Sequence, residues 1–451
     1  MWRIAVSVGL IFILAGIGCS SSGTYVGRIA EPVVDKSPFR SYTFPNGLKL
    51  LVNDYNRPGP TSVQVWLSAG SASDPKGKQG LAHLSEHVVL KGSSHLPPGK
   101  AEFYIESMGG TLFGHTGRDF TYLGATVPSG PGWERAEDIL YDLVSNPAFA
   151  PEQFEKERKA VGLEIKQRER DPDILLVENM FGQSYRYHPY KYPITGTVSD
   201  VAQITLQDVK TFHSRFYIPA NMVVVITGDI EPAAAKAVVE KSFGKLPQAK
   251  PMNLLLPQEG QLVIKKTKTV SLPVKLTYAA YGWRVCPSND PDIYPLEVLS
   301  AILGGGRGSR LSIELKERRG IAYNIRSELI PMKEQSMFMV FADLTDSDNV
   351  SQVTDELLRQ INRLKDEDLV TNDEVTRAVA RIETLQMQER ETAEGLGYSL
   401  GYWAVVSGEK DTSKYIQGIK KVTAEDVKRV AQRYIGEGSF TLSVVTPSRG
   451  N

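Results

Sequence analysis

Thr205-Leu-Gln-Asp-Val-Lys210 decides the fold, because the same pattern returns near the end of the chain as Thr423-Ala-Glu-Asp-Val-Lys428. Each copy is followed by an apolar run, Met222–Ile226 after the first and Phe440–Val445 after the second. An order of elements that recurs within one chain indicates two related structural units. We therefore expect two homologous domains in tandem.

Each half combines strand-like runs, such as Ser62–Ala69 and Leu276–Trp283, with long helical segments. This combination favours the α+β class, with two layered α/β domains that each contain a mainly antiparallel sheet flanked by helices. We place the first domain at residues 41–250, a Pro-containing linker at 251–264 and the second domain at 265–451.

The composition is that of a large globular protein without an electrostatic preference for nucleic acid. The chain has 451 residues, 41% of them hydrophobic, and its 52 basic residues balance 52 acidic ones. A chain of this length exceeds one ordinary hydrophobic core. Without a basic patch, nucleic acid is not an expected partner.

The amino terminus is typical of a bacterial export signal. Arg3 precedes the apolar run Ile4–Ile17, and Gly18-Cys19-Ser20 follows. We expect a lipoprotein signal peptide at residues 1–19, acylation of Cys19 and a tether at 20–40, so that only the lipid anchor contacts the membrane. The expected location is the periplasmic side of the outer membrane. The alternative is ordinary secretion, with Cys19 in the discarded peptide.

His83-Leu-Ser-Glu86-His87 places two imidazoles four residues apart, on one face of a helix. A catalytic zinc takes three protein ligands and leaves one position for water, whose pKa it lowers. In this interpretation His83 and His87 bind Zn²⁺, and Glu86 is the general base. The alternative is a histidine pair with a structural role in the core or on the surface.

The segment 151–170 contains the candidate for the third ligand. Its many Glu, Lys and Arg residues favour a helix, in which Phe154, Glu157, Val161 and Glu164 share one stripe. A carboxylate on such a stripe needs a cationic partner. Zinc is such a partner if Glu164 is its ligand. Glu157 would then contact one of the metal-binding side chains rather than the metal, and would adjust the properties of the site. The alternative is that both carboxylates face water.

The second half lacks these residues. In the register of the repeat, Glu164 corresponds to Ile382, and His83 and His87 fall near Val298 and Ile302. All six histidines lie at or before position 213. The second half therefore cannot rebuild the metal site and must have another role.

These residues resemble the pitrilysin, insulysin and mitochondrial processing peptidase family, whose inverted zincin signature is His-x-x-Glu-His. The resemblance runs from about Phe44 to Pro447. Beyond the metal residues it rests on three further segments: His188-Pro-Tyr-Lys-Tyr-Pro-Ile-Thr-Gly196, Phe216-Tyr-Ile-Pro-Ala-Asn221 and Gly228-Asp229.

The resemblance implies a zinc metalloendopeptidase that cleaves extended or unfolded peptides by attack of a zinc-bound water. It also implies a clamshell dimer, either of identical chains or with a related subunit. Gly109–Tyr122 resembles the family's edge strand, onto which a peptide substrate adds. This chain has Phe113-Gly114 where the family usually has Asn-Ala, and His115 follows as a possible substrate neighbour or structural residue.

In the second half, Glu314–Tyr323 resembles the segment in which the family holds an Arg and a Tyr that stabilise the oxyanion. Tyr323 matches the Tyr, whereas Lys316 occupies the Arg position and lacks the planar guanidinium. In dimeric relatives this pair reaches the zinc from the partner chain. The preceding segment 304–310 lacks the ending of a phosphate-binding loop, and a hinge or packing loop is the better interpretation.

Two other functions remain open. In the first alternative, the chain is a noncatalytic or weakly active partner subunit of a heterodimeric peptidase of the same family. The departures at Lys316 and Phe113 favour this alternative. Alternatively it is a structural lipoprotein of an envelope assembly.

Overall fold

The computed structural model describes residues 39–252, 254–260, 264–365, 370–408 and 413–448, without the side chain of residue 413. The expected signal peptide, Cys19 and nearly all of the expected tether lie outside these residues. Among the described residues, no helix is both long enough and apolar enough to cross a membrane.

The first half forms a six-stranded sheet in the order β1-β2-β6-β3-β5-β4. Only the β2–β6 pair is parallel, and β4 is an edge strand. The strands are β1 (Phe39–Thr43), β2 (Lys49–Asp54), β3 (Thr61–Leu67), β4 (Thr111–Thr116), β5 (Thr121–Val127) and β6 (Met222–Gly228).

Eight α-helices belong to the first half within the described residues. They are α1 (Leu81–Leu90), α2 (Lys100–Ser107), α3 (Gly132–Ser145), α4 (Pro151–Arg168), α5 (Pro172–Ser184), α6 (Val198–Ala202), α7 (Leu206–Phe216) and α8 (Pro232–Lys241).

The second half forms a five-stranded sheet in the order β7-β11-β8-β10-β9, in which only β7–β11 is parallel. Its strands are β7 (Lys266–Leu272), β8 (Thr277–Arg284), β9 (Ala322–Ile330), β10 (Met337–Leu344) and β11 (Thr441–Pro447). Its described helices are α9 (Ile293–Gly304), α10 (Asn349–Lys365), α11 (Asn372–Glu389), α12 (Ala393–Val406), α13 (Ser413–Lys420) and α14 (Ala424–Tyr434). A π-helical segment, Ser312–Arg318, precedes β9.

The repeated sequence marks equivalent helices in the two halves. Thr205 caps α7 and Thr423 caps α14, each through a capping box that the aspartate three residues later completes. Each helix leads to a central strand, β6 or β11, that is paired on both sides. The predicted fold class, with two repeated layered domains and mainly antiparallel sheets, is confirmed. The predicted boundaries at 41–250, 251–264 and 265–451 stay predictions.

The two halves exchange one helix each. Helix α5 belongs to the first half in sequence, but its Leu176, Met180 and Phe181 pack in one core with residues of the second sheet. Helix α12 of the second half packs on β3 and β6 of the first sheet. Each sheet is thus covered by a helix from the other half, so the halves share their cores.

Each exchanged helix contacts its sheet at a point where a large side chain packs on a glycine. In α12 the glycine is on the helix, and in α5 the large side chain is on the helix. A methyl group added at Gly401 of α12 would overlap the buried indole of Trp66 on β3. A methyl group added at Gly282 of β8 would overlap the sulfur of Met180 on α5. Close packing of this kind fixes how each helix sits on its sheet.

Candidate metal centre

Helix α1 begins where a half-buried aspartate accepts hydrogen bonds from its first turn. Asp74 accepts hydrogen bonds from the backbone N–H of Gly80 at 2.7 Å and of Ala82 at 2.8 Å. Gly80 adopts a φ of +89°, and a Cβ at this position would overlap the carbonyl of Thr195. Only glycine fits this turn. It starts the helix so that His83 and Glu86 point inward, with 8% and 5% of their surface exposed.

Helix α4 brings the third candidate ligand to α1. Pro151 occupies its first turn, where the missing N–H has no cost. The predicted stripe is present, since Phe154, Glu157 and Val161 are buried and Glu164 is half-buried. The alternative in which both glutamates face water is therefore wrong. α4 packs on α1, so the stripe faces the two histidines.

His83, His87 and Glu164 are the group that can hold one metal ion among the described residues. Their ligand atoms lie within 4.8 Å of one another. Glu164 Oε2 is 3.7 Å from Nε2 of His83 and 3.6 Å from Nε2 of His87. Ligands of one tetrahedral zinc, at about 2.0–2.2 Å from the metal, are separated by about 3.3–3.6 Å. The observed separations fit zinc after small side-chain movements.

The orientation and the protonation state of His83 support this fit. The ring nitrogen Nδ1 of His83 is buried without a hydrogen-bond partner among the described residues, and Nε2 is the ring nitrogen that faces Glu164. Burial and the neighbouring His87 lower the pKa of His83 to about 3, which keeps its imidazole neutral and able to donate electrons to a metal. A neutral imidazole is the form that binds zinc.

Glu157 contacts the ligand His87 rather than the metal position. Its Oε2 lies 3.3 Å from Nδ1 of His87, and its Oε1 accepts a hydrogen bond from Gln153 at 2.7 Å. Burial disfavours a charged His87, but Glu157 and Glu164 outweigh burial and raise its pKa to about 10, so a metal at Nε2 would displace a proton from this ring. Glu157 thereby fixes the ring so that Nε2 faces Glu164, as expected for a carboxylate behind a metal-binding histidine.

Glu86 is arranged as a proton acceptor. Thr116 on β4 donates a 2.6 Å hydrogen bond to Glu86 Oε2. Burial raises the pKa of Glu86 to about 7, although His87 and Thr116 favour its ionised form. A carboxylate with a pKa near neutrality suits both uptake and release of a proton at physiological pH.

The edge strand β4 passes directly over Glu86. A Cβ at Gly114 would lie 2.8 Å from Glu86 Oε1 and 2.7 Å from Leu90 Cδ1, so the missing side chain leaves room for the carboxylate. Phe113 packs its ring over Gly124 on β5, where a Cβ would overlap it. Phe113 and Gly114, which stand where the family usually has Asn-Ala, therefore both fit their surroundings. The outer edge of β4 remains unpaired in the sheet.

The structure does not join Tyr323 and Lys316 to the metal ligands within one chain. Tyr323 lies on the edge strand β9 with 66% of its surface exposed, and Lys316 lies in the π-helical segment. Among the described residues, no hydrogen bond or ion pair connects either side chain to His83, His87 or Glu164. Their assigned role in the oxyanion site stays a prediction.

The glycine-rich segment before them is a packing loop. A Cβ at Gly304 would lie 2.6 Å from the backbone nitrogen of Ser327 on β9, and one at Gly305 would lie 2.5 Å from the carbonyl oxygen of Ala301. Gly306 has a φ of +115° and contacts Arg381. The interpretation as a packing loop rather than a phosphate site agrees with these contacts.

Sequence reasoning missed Thr116 and Arg168. Arg168 Nη1 lies 3.8 Å from Glu164 Oε1. The spacing of four residues between Glu164 and Arg168 could have predicted this contact, because residues four apart on a helix are neighbours on its surface. The contact of Thr116 with Glu86 depends on how β4 lies over α1, and no local pattern reports that.

Comparisons with known proteins agree with this geometry. A family model described as Insulinase (Peptidase family M16) matches residues 52–198, and one described as Peptidase M16 inactive domain matches residues 203–382. The chain is 27% identical over 420 residues to an uncharacterized zinc protease of Rickettsia bellii (strain RML369-C), which covers 92% of this chain and 98% of that protein.

Two further relatives extend the comparison. A probable mitochondrial-processing peptidase subunit beta of Arabidopsis thaliana is 24% identical over 420 residues, covering 90% of this chain and 78% of that protein. The crystal structure of a protease from Helicobacter pylori matches with a TM-score of 0.84 and 24% identity, over 91% of this chain and 100% of that chain.

Two repeated layered domains, of which only the first carries the His, His and Glu cluster, define the class of protein. The chain belongs to peptidase family M16, and the match to the inactive-domain model extends from the last part of the first half into the second half. The resemblance to the pitrilysin, insulysin and mitochondrial processing peptidase family is confirmed.

Proposed function

We propose that this chain is a zinc-dependent metalloendopeptidase that cleaves extended or unfolded peptides. The observation that carries the proposal is the convergence of His83, His87 and Glu164 within 4.8 Å, with Glu86 buried beside them. Two imidazoles and one carboxylate are the donor set of known catalytic zinc sites. The zinc-protease names of relatives support the same metal.

Each side chain has a defined task in this proposal. His83, His87 and Glu164 hold the zinc, which when bound polarises a substrate carbonyl and lowers the pKa of water. Glu157 orients His87 through its Nδ1. Glu86 accepts a proton from the attacking water and returns it to the leaving amine, because its carboxylate has a pKa near 7 and lies beside the ligands.

The edge strand β4 gives a reason for the substrate class. Its free edge offers backbone N–H and C=O groups to a peptide in extended conformation. Backbone pairing requires an unfolded segment and makes few demands on its side chains. The strand passes over Glu86, so a peptide paired with it would lie next to the metal position.

We also propose that Tyr323 and Lys316 act on the metal centre of a second chain, identical or related. Tyr323 is exposed and lies apart from the ligands of its own chain, and the Arabidopsis relative is named a subunit. Mixing Glu86→Gln with Tyr323→Phe protein tests this proposal. Recovery of activity in the mixture supports exchange between chains, and a mixture as inactive as its components opposes it.

The envelope location rests on the amino-terminal sequence alone. We propose that Cys19 is acylated and anchors the enzyme to the outer membrane. Mass spectrometry of the mature amino terminus tests this, since an unmodified start beyond Cys19 would exclude the anchor.

The central test of the proposed function is Glu86→Gln. Removal of the carboxylate charge abolishes the general base, and we expect peptide turnover to fall at least about 10²–10⁴-fold while one zinc per chain remains bound. Turnover of an unstructured peptide library and zinc content by elemental analysis are measured on the same preparation. Undiminished turnover would exclude Glu86 as the base.

The same measurements separate the alternatives. A noncatalytic subunit gives little or no turnover alone, and the turnover of its complex with a catalytic partner is unchanged by Glu86→Gln in this chain. A structural lipoprotein gives stable association with neighbours and no turnover that a chelator can suppress.

A further inference from the structure

We propose that Arg168 and Glu178 are positioning residues, which tie the metal ligand Glu164 to the hairpin of the edge strand and to the second domain. The two carboxylate oxygens of Glu164 have different partners. Oε2 faces the Nε2 atoms of both histidines, whereas Oε1 lies 3.8 Å from Arg168 Nη1. Arg168 thus holds one oxygen away from the histidines and leaves the other to the metal.

Arg168 is in turn held by Glu178 on α5. Arg168 Nη2 lies 3.9 Å from Glu178 Oε1, and Glu178 Oε2 accepts a 2.7 Å hydrogen bond from Arg118 Nη2. The four side chains alternate in charge, and 19%, 14%, 13% and 7% of their surface is exposed, in the order Glu164, Arg168, Glu178 and Arg118. Ions with so little access to water depend on their neighbours, so loss of one leaves the next uncompensated.

Arg118 connects this chain of charges to the edge strand. It lies in the turn between β4 and β5, where its Nε donates to the carbonyl of Tyr190 at 3.1 Å. Its guanidinium also lies 3.6 Å from the centroid of the Phe181 ring on α5. Arg118 therefore fixes the turn to α5 through two contacts, one with Glu178 and one with Phe181. Strand β4, which ends at this turn, carries Thr116, the hydrogen-bond partner of Glu86.

The second domain sets the position of α5. Met180 and Phe181 pack with Ala280 and Met337 of the second sheet, and Arg326 on β9 donates a 3.0 Å hydrogen bond to Asp173 at the start of α5. Glu178 lies between these two anchoring points. The second domain, in whose described residues no group of metal ligands is found, thereby helps to set the position of Glu178, the shared partner of Arg168 and Arg118.

The proposal rests on the proposed function, because it concerns how a zinc ligand and a peptide-binding strand are held. Groups that contact metal ligands typically change metal affinity by about 10–100-fold when they are removed. Glu178 contacts both the arginine behind Glu164 and the arginine of the hairpin. Its loss should therefore affect zinc binding and peptide binding together, and loss of Arg168 should affect mainly zinc.

The experiment compares Arg168→Gln, Arg168→Lys and Glu178→Gln with wild type in the full chain. Zinc affinity is measured by competition with a chelator, and kcat and KM are measured at saturating zinc. The matched control is Glu152→Gln, which breaks the exposed Glu152–Lys156 pair on the same helix α4. Thermal unfolding of the metal-free proteins shows whether each variant is folded.

We expect Arg168→Gln to weaken zinc binding by about 10–100-fold. Glu178→Gln should weaken it by about tenfold and also raise KM severalfold, since the hairpin loses its anchor. Arg168→Lys keeps the charge without the forked geometry and should bind zinc with intermediate affinity. Glu152→Gln should match wild type in every measurement.

Wild-type zinc affinity in both Arg168→Gln and Glu178→Gln would overturn the proposal. If Arg168→Gln does not fold, Arg168→Lys decides, and affinity equal to wild type would then overturn it. A wild-type chain that binds no zinc and cleaves no peptide would instead overturn the proposed function, and the positioning role with it.

Discussion

The two halves place equivalent helices against each other, yet one pair is polar at its centre and the other is apolar. In the first half, α1 and α4 face each other through His83, His87 and Glu164. In the second half, α9 packs on α11, and the corresponding positions hold three aliphatic side chains with 0–5% exposure: Val298, Ile302 and Ile382. The fold therefore does not need the polar set.

The polar set is costly for folding alone. Partly buried imidazoles and carboxylates lose hydration that aliphatic side chains never had. The second half shows that the same packing forms without this cost. Under the proposed function, the first half keeps the polar set because it binds zinc, a metal that two imidazoles and one carboxylate hold in catalytic sites.

The most severe test gives the first half the residues of the second. In His83→Val/His87→Ile/Glu164→Ile protein we expect bound zinc to fall from one per chain to none, and turnover to fall by more than about 10⁶-fold or to background. The variant should still fold without metal, with a free energy of unfolding lower than that of wild type by about 3–5 kcal/mol, because Glu157 and Arg168 keep their charges after their partners His87 and Glu164 are replaced. Elemental analysis, peptide hydrolysis and urea unfolding measure the three quantities.

Glu86→Gln is the matched control for this variant, since it should lose turnover and keep zinc. A triple variant that retains one zinc per chain would show that the ligands lie elsewhere. A triple variant that does not fold would show that the polar set is structural and that the comparison between the halves is misleading.

The next test concerns the exchanged helices. Gly401→Ala pushes a methyl group into the buried ring of Trp66, and overpacking of this kind costs about 1–3 kcal/mol of stability. Gly182→Ala on α5 is the matched control, because its Cβ would meet only the carbonyl of Lys191 at 3.5 Å. Alanine at this exposed helical position should stabilise by up to about 1 kcal/mol.

Urea unfolding of both variants gives these values. Opposite signs for the two glycines would support close packing between the halves at α12. Equal changes in the free energy of unfolding would mean that Gly401 does not pack closely on Trp66. The description of a core shared by the two halves would then be wrong at α12.

The smallest expected effect is on the pH dependence of the free energy of unfolding. It arises from a histidine that α7 has and the equivalent helix α14 lacks. His213 on α7 corresponds to Ala431 on α14, and its Nε2 donates a 2.8 Å hydrogen bond to the carbonyl of Val144. Burial lowers the pKa of His213. The folded chain therefore binds a proton less readily than the unfolded chain, so this contribution to stability is present above about pH 6.5 and is lost as the pH falls through the folded pKa.

We expect His213→Ala to be less stable than wild type by about 1–2 kcal/mol at pH 7.5, because Val144 loses its hydrogen-bond donor. Between pH 7.5 and pH 5 the difference should shrink, since only wild type has this histidine to protonate. The other histidines titrate in both proteins and cancel in the comparison. A difference that stays constant with pH would contradict the assignment.

Local patterns carried much of the fold and the metal site. The repeated Thr205 and Thr423 segments predicted equivalent helices, and the stripe of α4 predicted that Glu157 and Glu164 face inward, because helical spacing places such residues on one side. His83 and His87 followed from the same rule. These features depend on residues within a few helical turns.

The remaining features depend on contacts between distant segments. The exchange of α5 and α12 joins residues such as Met180 and Gly282, which lie about a hundred positions apart in the sequence. The contact of Arg118 with Glu178 spans 60 residues and needs both the β4–β5 turn and α5 in place. No periodicity within either segment reports that meeting, so the sequence predicted the ligands and not the charges behind them.

X-ray diffraction from zinc-supplemented crystals above and below the zinc absorption edge gives the most direct measurement. One anomalous peak per chain should lie about 2.0–2.2 Å from Nε2 of His83, Nε2 of His87 and an oxygen of Glu164. A peak at any other position, or none between these three side chains, would contradict the account.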